Sequence, residues 1–343
     1  MGNSRRLEPI EVLVERALAS DRRSLSRLIS RVEDGGPDSW SALSRLYPRT
    51  GHARIIGVTG SPGTGKSTLV GEIAKYTRKH TPDRTVGIVA VDPTSPFSGG
   101  AVLGDRIRMR DLAGDDGVFI RSMATRGSLG GLARATTDVV KVLDAVGYDL
   151  ILIETVGAGQ SEIDIARTAD TVIVVEAPGL GDEVQAIKAG ILEIADVLVV
   201  NKADRDGVQS TINALHAMLD LGTAPHTALH HGALLKMPEI QAKAAERWRP
   251  PIIKTIAAEG KGLDELMVAL DQHREYLQTQ AAGLQRVRVR AAIELETILR
   301  ESMLNRLLAA VGAERLEGLI DQVAGREIDP YSAAEKLLAS KLA

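Results

Sequence analysis

Gly60-Ser61-Pro62-Gly63-Thr64-Gly65-Lys66-Ser67 is the run in this chain whose residue types and spacing most directly name a chemistry. It fits G-x-x-x-x-G-K-[ST], the pattern of a loop that wraps phosphate groups. Its glycines let backbone N–H groups converge on phosphate oxygens, and a following helix adds the partial positive charge of its N-terminus. In that frame Lys66 reaches the β- and γ-phosphates, the Ser67 hydroxyl sits on Mg²⁺, and Thr68 closes the loop. The pattern has this meaning only between a strand and a helix. Both are legible: Arg54–Thr59 reads as a buried strand and Leu69–His80 as a helix. The expected ligand is a nucleoside triphosphate with Mg²⁺.

The base is chosen further along. Asp196–Val200 is a short apolar run rich in β-branched residues, the composition of a buried parallel strand. It runs into Asn201-Lys202-Ala203-Asp204, which fits the N-K-x-D signature of guanine-nucleotide proteins. A carboxylate at Asp204 accepts from both N1–H and the 2-amino group of guanine, an arrangement adenine cannot offer. Asn201 is expected on the N7/O6 side, with the Lys202 stem along the ring. Ligands of open α/β sheets bind at the carboxyl ends of strands, where both motifs fall. Thr255-Ile256-Ala257-Ala258 resembles the S-A-x loop of G proteins with Ala257 in the serine position, so the N–H of Ala258 is the expected contact to guanine O6.

Composition narrows the class. At 343 residues the chain is long enough for a large domain with appendages. Hydrophobic residues at 44% supply a core, and aromatics at only 3% mean that it is built from Val, Ile, Leu and Ala. A net charge of −3 argues against a nucleic-acid partner, which calls for a basic field. The absence of cysteine removes disulfides, a thiolate nucleophile and a Cys-based zinc site. No apolar run reaches membrane-spanning length, Met1-Gly-Asn-Ser-Arg-Arg lacks a signal-peptide core, and Arg6 breaks the myristoylation pattern. The expectation is a cytoplasmic protein with no membrane partner.

Three regions must position these residues. Residues 1–50 read as a helical extension: Leu25, Leu28, Ile29 and Val32 form one apolar stripe, Gly35-Gly36-Pro37 breaks it, and Trp40, Leu43 and Tyr47 mark a short second helix. Residues 51–280 alternate strand and helix, with strands expected at Arg54–Thr59, Thr85–Asp92, Val118–Met123, Asp149–Glu154, Thr171–Glu176, Asp196–Asn201 and Pro251–Ala257. This alternation calls for an α/β fold of the P-loop NTPase kind, a mostly parallel sheet with helices on both faces. Residues 281–343 are helical only. Leu284, Val287, Ala291, Leu295 and Ile298 form a stripe there that a segment of this size cannot bury alone. It needs a cover, the core or a second copy.

Carboxylates near the phosphate loop should complete the metal site. Glu154-Thr155-Val156-Gly157 ends an expected strand and resembles D-x-x-G with Glu for Asp. Asp92 ends another strand, and Asp105 follows its loop. Mg²⁺ on a nucleotide takes one or two carboxylates beside phosphate oxygens and waters, so Glu154, Asp92 and Asp105 with Ser67 are more than sufficient.

Taken together, Gly60–Thr68, Val91-Asp-Pro-Thr-Ser-Pro96, Glu154-Thr-Val-Gly-Ala-Gly-Gln-Ser-Glu162, Ala177-Pro-Gly-Leu-Gly-Asp182 and Asn201–Asp204 resemble one family, the MeaB/ArgK-type G proteins that accompany adenosylcobalamin-dependent methylmalonyl-CoA mutase. The resemblance spans residues 25–310. It implies a GTPase core related to signal-recognition-particle and metallochaperone GTPases, helical extensions at both ends, and a homodimer. It also implies a chaperone of the mutase that gates cofactor delivery, expels damaged cofactor and protects the enzyme. None of that partner biology is readable from composition or periodicity.

Hydrolysis needs a positioned water and positive charge near the leaving oxygen. Gln160 stands three residues past Gly157 and so is not placed like the water-orienting Gln of Ras-like proteins; Arg108 and Arg110 are candidate cis arginines. In the family the loop Gly179–Lys188 looks like a further switch, with Asp182, Gln185 and Lys188 as its polar residues and Lys188 as the late-supplied charge. Slow GTP-to-GDP turnover that a partner accelerates follows. Rival readings are a nickel-loading metallochaperone, a kinase of a small molecule or transport protein, and a scaffold holding GTP as a structural ligand. The first lacks His- or Cys-rich stretches, and the second has no need of N-K-x-D. The third leaves Lys66, Ser67 and Glu154 without a purpose.

If Asp204 reads guanine, Asp204→Asn weakens GTP and favours xanthosine triphosphate, whose 2-oxo group accepts from the new amide. Charge-assisted bonds are worth about 1.5–3 kcal/mol each, so a loss of roughly ten- to a hundredfold or more in GTP affinity is expected by calorimetry. Unchanged affinity removes Asp204 from the site.

Overall fold

The Val- and Ile-rich runs of the central region cannot leave either face in water, and they solve this by pairing in one sheet covered on both sides. The computed structural model describes residues 8–93, 109–112, 114–125, 131–155, 161–179, 193–221, 248–279 and 281–339. The strands are β1 (Arg54–Thr59), β2 (Val86–Pro93), β3 (Val118–Thr125), β4 (Leu150–Thr155), β5 (Thr171–Glu176), β6 (Val197–Val200) and β7 (Ile252–Lys254). Their order is β3-β2-β4-β1-β5-β6-β7, with every neighbouring pair parallel. All seven expected strands are present. The last is shorter than expected: Thr255 N–H still donates to the Val200 carbonyl at 2.9 Å, but Ile256 then pairs back on Lys261 and Ala257–Glu259 turn as a 3-10 helix.

Along β5 successive side chains enter opposite layers, Val172 and Val174 on one face, Ile173 and Val175 on the other. The first layer is covered by α1 (Ile10–Leu18), α2 (Arg22–Asp34), α3 (Gly36–Leu46), α5 (Gly131–Ala145), α6 (Ser161–Thr168) and α7 (Val208–Leu221). The second is covered by α4 (Lys66–His80) and α8 (Leu263–Thr279). The stripe Leu25, Leu28, Ile29 and Val32 is buried in the first layer, so the N-terminal helices share the core of the sheet. Asp21 starts α2 by accepting from Arg23 N–H at 2.9 Å, an ordinary N-cap.

Carboxylates stitch the N-terminal edge of the sheet. Asp149, Asp170 and Asp196 each stand directly before a strand and each accepts an N–H from a neighbour: Thr85 N–H at 2.8 Å, Ile55 N–H at 3.1 Å and Val172 N–H at 2.8 Å. Asp144, at the end of α5, accepts from Gly51, His52 and Ala53 N–H at 2.5, 3.1 and 2.8 Å and so fixes the entry into β1. Asp196 also faces His273 Nε2 of α8 at 3.3 Å, while His273 Nδ1 lies 2.9 Å from Thr171 Oγ1. The Asp144, Asp149, Asp170 and Asp196 carboxylates thus give acceptors to backbone donors at and near the strand starts. Strand direction then sends all the opposite ends to one rim.

The chain divides into two compact units, and the helices from Ala281 onward make up the second. They are α9 (Ala281–Val311), α10 (Ala313–Ala324) and α11 (Pro330–Ala339), with Gly312 at φ 80° between the first two. Among its described residues the only buried apolar side chains are Val289 and Ala333. Leu284, Val287, Leu295 and Ile298 on α9 are exposed. Among the described residues no helix is long and apolar enough to cross a membrane.

Candidate functional site

β1 ends at Thr59 and hands over to the glycine loop, where Gly60, Gly63 and Gly65 have φ of 134°, 81° and 96°. Two of these glycines are required by space as well. A Cβ on Gly60 would lie 2.1 Å from the Val175 carbonyl oxygen, and one on Gly65 would lie 2.4 Å from Asn201 Nδ2. The loop therefore presses directly on β5 and on the chain after β6. The helix α4 starts at Lys66, three residues earlier than the sequence suggests, with Gly65 as its cap and no side chain closing its first turn. A helix N-terminus built in this way offers N–H groups and positive potential to an anion.

Lys66 is buried and folds back over the loop, donating to the Gly60 and Ser61 carbonyls at 2.8 and 2.9 Å. Ser67 Oγ donates to Glu154 Oε1 at 2.5 Å, and both residues are buried. Beside them Thr155 Oγ1 donates to Thr59 Oγ1 at 2.9 Å, tying the end of β4 to the end of β1. A hydroxyl and a carboxylate, both hard oxygen donors at the mouth of a phosphate loop, suit Mg²⁺ rather than a softer metal. Thr64 is buried, Ser61 half-buried, and Pro62, Gly63 and Thr68 are exposed.

The Asn201 side chain is the junction of the site. Its Nδ2 donates to the Thr64 carbonyl at 2.8 Å, while Oδ1 accepts from Thr255 Oγ1 at 3.1 Å and from Ala257 N–H at 3.0 Å. The amide joins the phosphate loop to the 255–258 loop, and its NH₂ group carries a second N–H beside the one given to Thr64. Lys202 adopts φ 57°, uncommon for a residue with a side chain, and its Nζ donates to the Gly63 carbonyl at 2.6 Å. Ala203 N–H donates to the Thr255 carbonyl at 3.0 Å. Asp204 and Ala258 are exposed on the same rim, while Ala257 is buried.

Gly60–Thr68, Glu154, Asn201, Lys202, Asp204, Ala257 and Ala258 are therefore gathered at the carboxyl ends of β1, β4, β6 and β7. Asp92 lies near the same end of β2. Asp105, Arg108, Gln160, Asp182, Gln185 and Lys188 lie outside the described residues. Two participants were not singled out from sequence. Thr255, the first residue of its loop, is buried and bonded to Asn201. Lys261, paired with Glu259 at 2.6 Å, has its pKa raised chiefly by that partner and further by the charge of Asp204. Their signal was the loop motif itself, since Thr255 opens it and Lys261 closes it.

Residues 25–312 match the family model described as methylmalonyl Co-A mutase-associated GTPase MeaB. A chain named as a GTPase in Pyrococcus abyssi is 46% identical over 329 residues, covering 96% of each chain. The GTPase ArgK of Escherichia coli is 34% identical over 301 residues, covering 86% of this chain and 85% of its own. A crystal structure titled LAO/AO transport system kinase superposes with a TM-score of 0.66 at 26% identity, covering 97% of this chain and 98% of that one. With a phosphate loop, a Ser67–Glu154 pair and an Asn201-Lys202-Ala203-Asp204 rim on a seven-stranded parallel sheet, the chain belongs to the MeaB family of GTPases.

Proposed function

We propose that the protein is a Mg²⁺-dependent GTPase that gates adenosylcobalamin delivery to methylmalonyl-CoA mutase and protects that enzyme. The observation that carries this reading is Asn201, which locks a phosphate loop to a base loop within a chain matched to that family over residues 25–312. Gly60–Thr68 would enclose the phosphates, with Lys66 leaving its two carbonyls for the β- and γ-oxygens. Asp204, Asn201, Lys202 and the Ala258 N–H would hold guanine, with Ala257 in the loop that Asn201 ties down. Ser67 and Glu154 would hold Mg²⁺, with Asp92 and Asp105 as further carboxylates. The ion neutralises charge on the β- and γ-phosphates when bound. Arg108, Gln160 and Lys188 are the candidates for charge and water placement, and Asp182 and Gln185 belong with Lys188 to a partner-sensed loop.

If Glu154 holds the ion, Glu154→Ala shifts the Mg²⁺ concentration needed for half-maximal hydrolysis upward. Loss of one charge-assisted contact corresponds to roughly ten- to a hundredfold. A Mg²⁺ dependence that stays in place would leave Glu154 as a strand terminator.

The exposed α9 stripe supports a two-fold homodimer as its cover, the commonest closed assembly. Each large side chain buried there contributes about 1.5–3 kcal/mol, so Leu295→Glu with Ile298→Glu should halve the mass seen by light scattering while GTP binding persists. A wild type already monomeric at micromolar concentration contradicts the dimer.

The chaperone reading is tested on the pair of proteins. Hydrolysis should rise when an adenosylcobalamin-dependent methylmalonyl-CoA mutase is added, and Lys188→Ala should reduce that rise more than the basal rate. No stimulation by the mutase would reject the chaperone reading and leave the GTPase standing. A basal rate falling as far as the stimulated one would make Lys188 an ordinary active-site residue.

A further inference from the structure

β1 and β4 run side by side in register from Arg54↔Leu150 to Val58↔Glu154, and there their pairing ends. One residue further, Thr59 is in register with Val174 of β5 and Thr155 with Val91 of β2, each on the side away from the other. The seam between the two strands therefore opens at the phosphate loop itself, since Gly60 follows Thr59. Two side-chain bonds bridge it. Thr155 Oγ1 donates to Thr59 Oγ1 at 2.9 Å, and Ser67 Oγ donates to Glu154 Oε1 at 2.5 Å.

The two bridges lie on opposite faces of the sheet. Successive side chains of a strand alternate, so Glu154 shares the face of Leu150 and Leu152, which α4 covers, and Thr155 shares that of Ile151 and Ile153. The Ser67–Glu154 bridge is made of the two groups that would hold Mg²⁺. The Thr59–Thr155 bridge is made of hydroxyls on the other face, so it is the tie across this seam that does not depend on the ion. Thr59 and Thr155 are both buried, so bulk water is not at hand to replace the bond if it is lost.

We infer that Thr155 is a positioning residue for the metal site: its hydroxyl, bonded to Thr59, holds the end of β4 against the end of β1 and so sets the separation of Glu154 from Ser67, without touching the ion. The inference rests on the reading of Ser67 and Glu154 as the groups that hold Mg²⁺, which the Glu154 variant below tests by itself.

The experiment measures affinity for a non-hydrolysable GTP analogue in EDTA and across a Mg²⁺ series, so that no turnover is involved. It compares wild type, Thr155→Val, Thr155→Ser, Glu154→Gln and the double variant of Thr155→Val with Glu154→Gln, with folding read by thermal unfolding. Valine keeps the shape of threonine and lacks its donor. Losing one net hydrogen bond corresponds to about three- to tenfold, so Thr155→Val is expected to raise the Mg²⁺ midpoint by that factor while affinity in EDTA stays within about twofold of wild type. Thr155→Ser keeps the hydroxyl and should hold the midpoint within about twofold. In the Glu154→Gln background Thr155→Val should move the midpoint by less than about twofold, because a residue that acts through another is not additive with it. An unmoved midpoint in folded Thr155→Val overturns the proposal, as does an affinity in EDTA that falls as far as the midpoint rises, or a full shift retained with Glu154→Gln. If Glu154→Gln itself leaves the midpoint unmoved, the metal-site reading fails and this inference with it. A midpoint moved by Glu154→Gln but not by Thr155→Val sinks this inference alone. If Thr155→Val does not fold, Thr59→Val removes the same bond from its acceptor and is held to the same outcomes, and failure of both to fold overturns the proposal.

Discussion

A single buried amide holds the rim of this protein together. Asn201 is bonded at once to the Thr64 carbonyl and to two groups of the 255–258 loop, the Thr255 hydroxyl and the Ala257 N–H, segments that the chain keeps far apart in sequence. Leaving a buried donor or acceptor unsatisfied costs about 1–3 kcal/mol, so none of these three loops can drift without exposing a polar group to an apolar interior. The bare α-carbon of Gly65 allows the amide to come this close. The left-handed backbone at Lys202 costs roughly 1–2 kcal/mol. It is held by the Lys202–Gly63 and Ala203–Thr255 bonds. The phosphate loop and the 255–258 loop are consequently tied to one another.

The opposite edge of the sheet is held by a second set of polar bonds. Asp149, Asp170 and Asp196 occupy the same place relative to their strands, directly before the first residue, and each reaches sideways to a neighbour's N–H. The repetition follows from the parallel topology: the strands start at one edge, so a short carboxylate one residue upstream of one strand can reach an N–H near the start of its neighbour. Arg54, at the start of β1, is buried against Asp271 of α8; burial lowers its pKa, and the Asp271 hydrogen bond works against that shift. Polar groups thus register the lower edge while apolar layers fill the middle, leaving the upper edge to carry chemistry.

The parts legible in the sequence are those governed by local pattern. Apolar runs of β-branched residues gave all seven strands, and the glycine spacing gave the loop, because neither depends on distant partners. The start of α4 was placed too late because Lys66-Ser67-Thr68 reads as loop motif, whereas Gly65 already caps the helix. The end of β7 was placed too far along because the turn back to Lys261 has no strong breaker before Gly260. The motif suggests Asn201 as a base contact, but its bonds to Thr64 and Ala257 are fixed only by the fold. The carboxylate stitches were invisible for the same reason. An aspartate before a strand looks like any solvated turn residue until the neighbouring strand is known.

The place of β1 in the sheet has a consequence for how the chain matures. It is the first strand synthesised and the central one assembled: Arg54 pairs with Leu150 on one side, and Ile56 with Thr171 on the other. Chains emerge at about 5–20 residues per second, so this strand spends several seconds with both edges unpaired before its neighbours exist. Exposed strand edges invite pairing with other chains. The amphipathic helices α1–α3 precede β1 and share its layer of the core, so an apolar cover is already synthesised when the strand appears. In the finished protein these helices lie in the same apolar layer as the 131–145 helix, so the cover they provide is completed only when that later helix has been synthesised.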